Sequence, residues 1–174
     1  MQATATLRNG LEVTVRDVRS DDRDRLVRAF RGLERQTVYT RFFRYVDAPT
    51  EAQLKRATEF DSKRESALVV TIGRGADEVI IGGGRYVATP SEGGARAAEV
   101  AFLVEEDYQG LGIAGLLLRH LVEIGRARGL TRLEADVLTE NGSMLRVFKR
   151  SGLPMRQRRE GGVVHIELTL SGPG

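Results

Sequence analysis

Gln109-Gly110-Leu111-Gly112-Ile113-Ala114-Gly115 carries the first chemical signal in this chain. It follows a strand-like run (residues 99–104) and opens a strongly apolar helical run (residues 116–128). Glycines between a strand and a helix N-terminus let the backbone fold into a concave nest of N–H groups. These are the orphan first-turn donors of the helix, and the helix dipole places partial positive charge behind them. A diphosphate fits such a nest without a lysine. The segment lacks the Gly-Lys-Ser/Thr ending of a P-loop and the G-x-G-x-x-G order of a dinucleotide fold, and glycines alone also mark ordinary turns. The residue types point to binding of a diphosphate-bearing ligand.

The spacing is also more particular than a turn requires. Gln109, Gly112 and Ala114 spell Gln/Arg-x-x-Gly-x-Gly/Ala, which resembles the acyl-CoA pyrophosphate loop of the Gcn5-related N-acetyltransferase (GNAT) superfamily. Asn141-Gly-Ser-Met144-Leu-Arg-Val147-Phe148-Lys-Arg-Ser-Gly152-Leu153 is similar to that superfamily's later motif, an asparagine followed by a short helix. Arg35-Gln-Thr-Val-Tyr39-Thr-Arg41-Phe42-Phe43 resembles the Ser-x-x-Ser/Thr-x-Tyr-x-Arg-Phe-Phe segment of the Pat-type protein lysine acetyltransferases, and Ala98-Glu99-Val100-Ala101-Phe102 their central strand. A buried aromatic pair is the plainer reading of Phe42 and Phe43. The Pat-type enzymes acetylate the active-site lysine of acyl-CoA synthetases, often from a domain fused to a cyclic-nucleotide-binding or synthetase-like domain. The resemblance therefore implies acetyl-CoA as donor, CoA as product, and a protein substrate with an acceptor lysine, an acyl-CoA synthetase among the possibilities. An acetyltransferase of small amines or antibiotics shares the same cofactor motifs. A non-catalytic acyl-CoA-binding module is the alternative from another class.

A lysine amine is neutral in only about four molecules in ten thousand at pH 7, so transfer to it needs a base and a stabiliser for the oxyanion. Glu99 is the candidate base, at the start of the strand before the loop, where the family's glutamate stands. Partial burial beside Ala101 and Phe102 is expected to raise its pKa; an exposed strand-end acid is the alternative. Glu105 and Glu106 are read as solvated, and Glu140 as a weaker rival. The resemblance implies that the backbone of Phe102, Leu103 and Val104 pairs with the pantetheine amides like an added strand, with Phe102 N–H facing the oxyanion. It implies that the amides of Gln109, Gly110, Leu111, Gly112, Ile113, Ala114 and Gly115 hold the diphosphate, and that Asn141 bonds the pantetheine arm. Arg146, Lys149 and Arg150 are candidates for the adenosine phosphates. Phe148 stands where the superfamily often has a tyrosine that protonates the leaving thiolate, so that phenol is missing here.

Composition bounds the rest. The chain has 174 residues, 41% hydrophobic and 29% charged, with a net charge of +3. It is long enough for one full core. Cysteine is absent, which excludes disulfides, thiolate metal sites and a cysteine acyl-enzyme. Direct attack on the thioester in a ternary complex is then the simplest scheme. His120 and His165 cannot make a histidine-rich metal centre, and each is read as a packing or surface residue. The charge is modest, and no recognition motif points to nucleic acid. No apolar run reaches the length of a membrane span and no signal-peptide core opens the chain. A cytoplasmic protein, monomeric or homodimeric, is expected.

These residues must be held by elements. Strands are expected at residues 11–18, 67–72, 78–87, 97–106, 132–138, 154–159 and 163–170. Helices are expected from Ser20-Asp21-Asp22 to Leu33, over 36–44, from the Thr50-x-x-Gln53 capping box to Phe60, over 116–128, and over 142–150. Gly82–Gly84 should weaken or bulge their strand. The order matches that of the GNAT fold: a mixed, mostly antiparallel α/β (α+β) sheet of about six or seven strands flanked by about four helices. Residues 1–174 are read as a single domain, either complete or cut from a larger protein, with 1–9 and 171–174 as loose ends.

Overall fold

The computed structural model describes residues 1–35, 37–38, 49–90 and 96–170. The expected helix over 36–44 lies largely outside these residues, as do Tyr39, Arg41, Phe42 and Phe43. Eight strands form one open sheet: β1 (Gln2–Thr6), β2 (Glu12–Asp17), β3 (Glu65–Ile72), β4 (Val79–Thr89), β5 (Ala97–Val104), β6 (Arg132–Leu138), β7 (Met155–Glu160) and β8 (Val163–Thr169), in the order β1-β2-β3-β4-β5-β6-β8-β7. Only β5 and β6 run parallel. Among the described residues four α-helices have at least eight residues: α1 (Arg23–Arg31), α2 (Glu51–Thr58), α3 (Ile113–Ala127) and α4 (Gly142–Lys149). None is long and apolar enough to cross a membrane.

The N-terminal segment corrects one expectation. Residues 2–6 are not a loose end but an edge strand, paired antiparallel with β2 from Gln2↔Arg16 to Thr6↔Glu12. Its Ala/Thr alternation presents small side chains, so the apolar signal is weak, and only Leu7 beyond it is buried. Gly10, at φ 87°, turns the chain, and Leu7 N–H donates to Leu11 O at 2.8 Å across the hairpin. Asn-Gly is the dipeptide such turns favour.

The core lies between the sheet and α3. Ile113, Leu117, Leu118 and Leu121 are buried against Val70, Val100, Phe102 and Leu133. Glycines in β4 set how closely the helix approaches. A Cβ on Gly84 would stand 2.8 Å from Phe102 Cδ1, and one on Gly82 only 3.1 Å from Ile113 Cγ2. The register shifts between Val70 and Thr71, whose partners are Gly82 and Ile80, so Ile81 is the extra residue of a bulge. The glycine run thus serves close packing as well as the expected irregularity.

Arg85 alternates with Gly84 and Tyr86, and its guanidinium donates to Arg56 O of α2 at 2.6 Å. That places α2, with α1 beside it, on the sheet face opposite α3. At the α1 end, Arg16 is 2% exposed and forks onto Asp22 (0% exposed) with two bonds of 2.8 Å, while also donating to Glu78 Oε1 at 2.9 Å. Burial alone would raise the Asp22 carboxyl. The hydrogen bonds from Arg16 and from Arg19 N–H outweigh it and hold the carboxyl below its ordinary range.

Candidate acyl-CoA site

The loop entering α3 leaves its main-chain donors unpaired. Gly110 and Gly112 adopt φ of 78° and 95°, the left-handed region that favours glycine. Gly112 is the N-cap of α3, and no side chain caps the helix and no acid stands in its first turn. Leu116 N–H donates to Gly112 O at 3.0 Å and starts the helical ladder. The six amides before it, of Gly110, Leu111, Gly112, Ile113, Ala114 and Gly115, donate to nothing among the described residues. A set of unpaired donors at the positive end of a fifteen-residue helix is what a diphosphate requires.

Beside the nest, the sheet opens. β5 pairs with β6 only through Ala97↔Arg132, Ala98↔Leu133 and Glu99↔Glu134. Past Glu99 the strands part, and the β6-facing edge of Val100–Val104 has no strand partner. The resulting cleft, about 870 Å³, is lined by Val100–Val104, Gln109–Leu116, Ala135–Val137 and residues of α4. Its floor is apolar, with the Phe102 and Phe148 rings 6.0 Å apart between centroids. The acyl-CoA donor fits: unpaired amides for its diphosphate, a free strand edge for its pantetheine amides.

The cleft brings together Phe102, Leu103, Val104, the whole of Gln109–Gly115, and Asn141, together with Arg146 and Arg150. Lys149 is exposed and outside the lining. The Asn141 oxygen is occupied: it caps α4 by accepting from Met144 N–H at 3.3 Å. Its amide nitrogen donates to nothing among the described residues and remains to bond the donor. The Gln109 side chain turns back into the protein, donating to Val104 O at 3.0 Å and Thr37 Oγ1 at 3.3 Å. Its backbone N–H is taken as well, donating to Glu106 O at 3.2 Å, so the expected Gln109 amide contact to the diphosphate does not hold and the unpaired amides begin at Gly110.

Glu99 is the last residue paired before the strands part. It is exposed and is not among the residues lining the cleft, so the expected partial burial does not hold. The reason is strand alternation: Ala98, Val100 and Phe102 point to the α3 side, and Glu99 points to the other. A side chain three positions on cannot cover it. On that same face His165 bonds Asp136 across β6 and β8, and its other ring nitrogen lies 3.5 Å from Glu160. His165 is thus a half-exposed surface residue, as read.

Two acids after β5 are not simply solvated. Burial raises the Glu105 carboxyl, and neighbouring Asp107 and Glu106 add to it. Its Oε2 is buried with no hydrogen-bond partner among the described residues. Burial also works to raise Glu106, but hydrogen bonds from Thr37 and from backbone amides, including that of Glu34 at 2.6 Å, hold it below the ordinary range. Thr37 and Arg8, both lining the cleft, escaped the sequence reading. Only the Asn9-Gly10 turn signal could have pointed to Arg8.

The profile of the acetyltransferase (GNAT) family matches residues 33–153. The chain belongs to the GNAT family. "Acetyltransferase Pat" of Mycolicibacterium smegmatis is 34% identical over 164 residues, covering 94% of this chain and 47% of that protein. "Acetyltransferase PA5475" of Pseudomonas aeruginosa is 29% identical over 139 residues, covering 80% of this chain and 73% of that one. This GNAT chain therefore spans under half the length of the mycobacterial relative. The crystal structure of the GNAT domain of S. lividans PAT superposes with a TM-score of 0.87 at 34% identity, covering 97% of this chain and 96% of that one. Salmonella typhimurium yncA, solved with acetyl-CoA, shares the GNAT fold at a TM-score of 0.69 and 19% identity, covering 91% of this chain and 94% of that one.

Proposed function

We propose that this GNAT domain transfers an acetyl group from acetyl-CoA to the side chain of a protein lysine, such as that of an acyl-CoA synthetase, in the cytoplasm. The observation that carries the donor is the row of six unpartnered amides at the start of α3, opening onto the free edge of β5. The acceptor reading is supported by the likeness to the two proteins named Pat and by the residues 35–43 resemblance.

The amides of Gly110–Gly115 take the diphosphate and the edge of Phe102–Val104 takes the pantetheine arm. Asn141 helps through its amide nitrogen, and Arg146 and Arg150, with Lys149 outside the cleft, serve the adenosine phosphates. Donor and acceptor then meet where β5 and β6 part, the acceptor arriving from the Glu99 face. Glu99 takes the proton that the lysine ammonium must lose before its nitrogen can attack the thioester carbonyl. A main-chain N–H of the β5 edge, that of Phe102, meets the negative charge growing on the carbonyl oxygen. The attacking nitrogen gives up its second proton to solvent as the carbon–sulfur bond breaks, and CoA leaves as a thiolate. Phe148 has no proton to give, so water supplies it. An exposed Glu99 can exchange its proton with solvent between turnovers.

The test is transfer of labelled acetyl from acetyl-CoA to an acyl-CoA synthetase and to a panel of small amines. Label on a synthetase lysine is expected. Label on small amines alone overturns the lysine reading, and tight binding without transfer to any acceptor makes the domain a binding module.

A further inference from the structure

Arg8 stands at the β1–β2 turn, 102 residues before Gly110 in sequence, yet it bonds the glycine loop twice. Its N–H donates to Leu111 O at 3.4 Å, and its Nη1 donates to Gly110 O at 3.3 Å. Its Nε lies 3.8 Å from where a Cβ on Gly112 would stand. The side chain is exposed and lines the cleft.

Two features make this placement informative. Among the described residues Arg8 has no carboxylate partner, unlike Arg16, Arg23, Arg25 and Arg132. The helix end it approaches is already positive, with six unpaired amides and no acid in the first turn. A cation placed there works against the helix dipole. Carbonyl bonds to Gly110 and Leu111 hold the residue in place but supply no counter-charge.

We propose that Arg8 is a direct ligand of the donor's diphosphate, closing on it from the β1–β2 turn while the amides of Gly110–Gly115 hold it from the helix. This rests on the acyl-CoA reading above. The planar fork of arginine suits two phosphate oxygens at once, where a lysine offers only a point charge. The N-terminal hairpin then belongs to the donor site.

Calorimetric titration of wild type, Arg8→Gln and Arg8→Lys with three donors tests this: acetyl-CoA, 3′-dephospho-acetyl-CoA, and S-acetyl-pantetheine, which has no diphosphate. Arg8→Gln is expected to weaken both diphosphate-bearing donors by about tenfold or more and leave S-acetyl-pantetheine unchanged. Arg8→Lys should recover part of the loss, and the unliganded melting temperatures should agree. Equal binding of acetyl-CoA by wild type and Arg8→Gln overturns the assignment, and so does an equal loss for S-acetyl-pantetheine. A loss confined to acetyl-CoA moves Arg8 to the 3′-phosphate and overturns it too. A wild type that binds no acyl-CoA removes the donor reading itself, together with Arg8's part in it.

Discussion

The Gln109 side-chain amide donates to the Thr37 hydroxyl at 3.3 Å, tying the glycine loop to the segment after α1. The same nitrogen reaches Val104 O at 3.0 Å, and Glu106 accepts from Glu34 N–H nearby. Gln109 therefore fixes the shape of the loop in which the proposed donor site lies. Gln109→Ala should lower acetyl-CoA affinity by about three- to tenfold, the loss of one or two hydrogen bonds that position the nest. It should leave kcat within about twofold. Calorimetry with steady-state kinetics checks this, and a kcat loss with unchanged affinity contradicts it.

Glu99 stands at the last position of β5 paired with β6, exposed on the sheet face opposite α3. If it carries the proton, Glu99→Gln should cut kcat by about 10²-fold or more with acetyl-CoA affinity little changed. Turnover within threefold of wild type places the base elsewhere.

Asp22 is fully buried against Arg16. Asp22→Ala strips that guanidinium of its main counter-charge but leaves it Glu78 and Asp17 O. The loss should fall near the low end for breaking a buried pair, about 3 kcal/mol. The pH dependence follows from the direction of the shifts. Asp22 and Glu78 are both held below their ordinary values, despite the opposing effect of burial. Their contribution is present above the ordinary carboxylate range and is lost as pH falls through the lowered values. Wild type should lose stability below that range more steeply than Asp22→Ala. Urea melts from neutral to strongly acid pH measure this, and parallel curves contradict it.

Glu105 has the opposite sign. Its carboxyl is raised, chiefly by burial, so the folded state favours the protonated form and stability falls as pH rises through that window. Glu105→Gln should therefore raise the melting temperature at pH 7 and have little effect in acid. A lower melting temperature at neutral pH contradicts the reading.

The central elements were legible because their signals are strong and local. Ile113–Ala127 carries a leucine-rich buried stripe, Thr50 and Gln53 form the capping box their spacing announces, and the glycines at 110 and 112 take the positive φ their position demands. What stayed hidden depends on distance in sequence. The β1 hairpin has almost no apolar contrast, so nothing local places Arg8 against Gly110. The exposure of Glu99 follows from which sheet face packs on α3, a tertiary choice that alternation alone leaves open. Lys149 sits among residues of the later motif yet outside the cleft, because α4 turns Phe148, not its neighbour, toward the core.

The central claim is that the main-chain amides ahead of α3 grip the donor's diphosphate. Amide chemical shifts of isotope-labelled protein, followed during titration with acetyl-CoA, test it most directly, with Gly112→Asp as control because its carboxylate would fill the nest, and with a melting curve of the variant to show that it folds despite the strain of a side chain at φ 95°. The largest shifts should fall on Gly110–Gly115 and vanish in the variant. Shifts confined to other parts of the chain, or a Gly112→Asp protein that binds as wild type does, would contradict it.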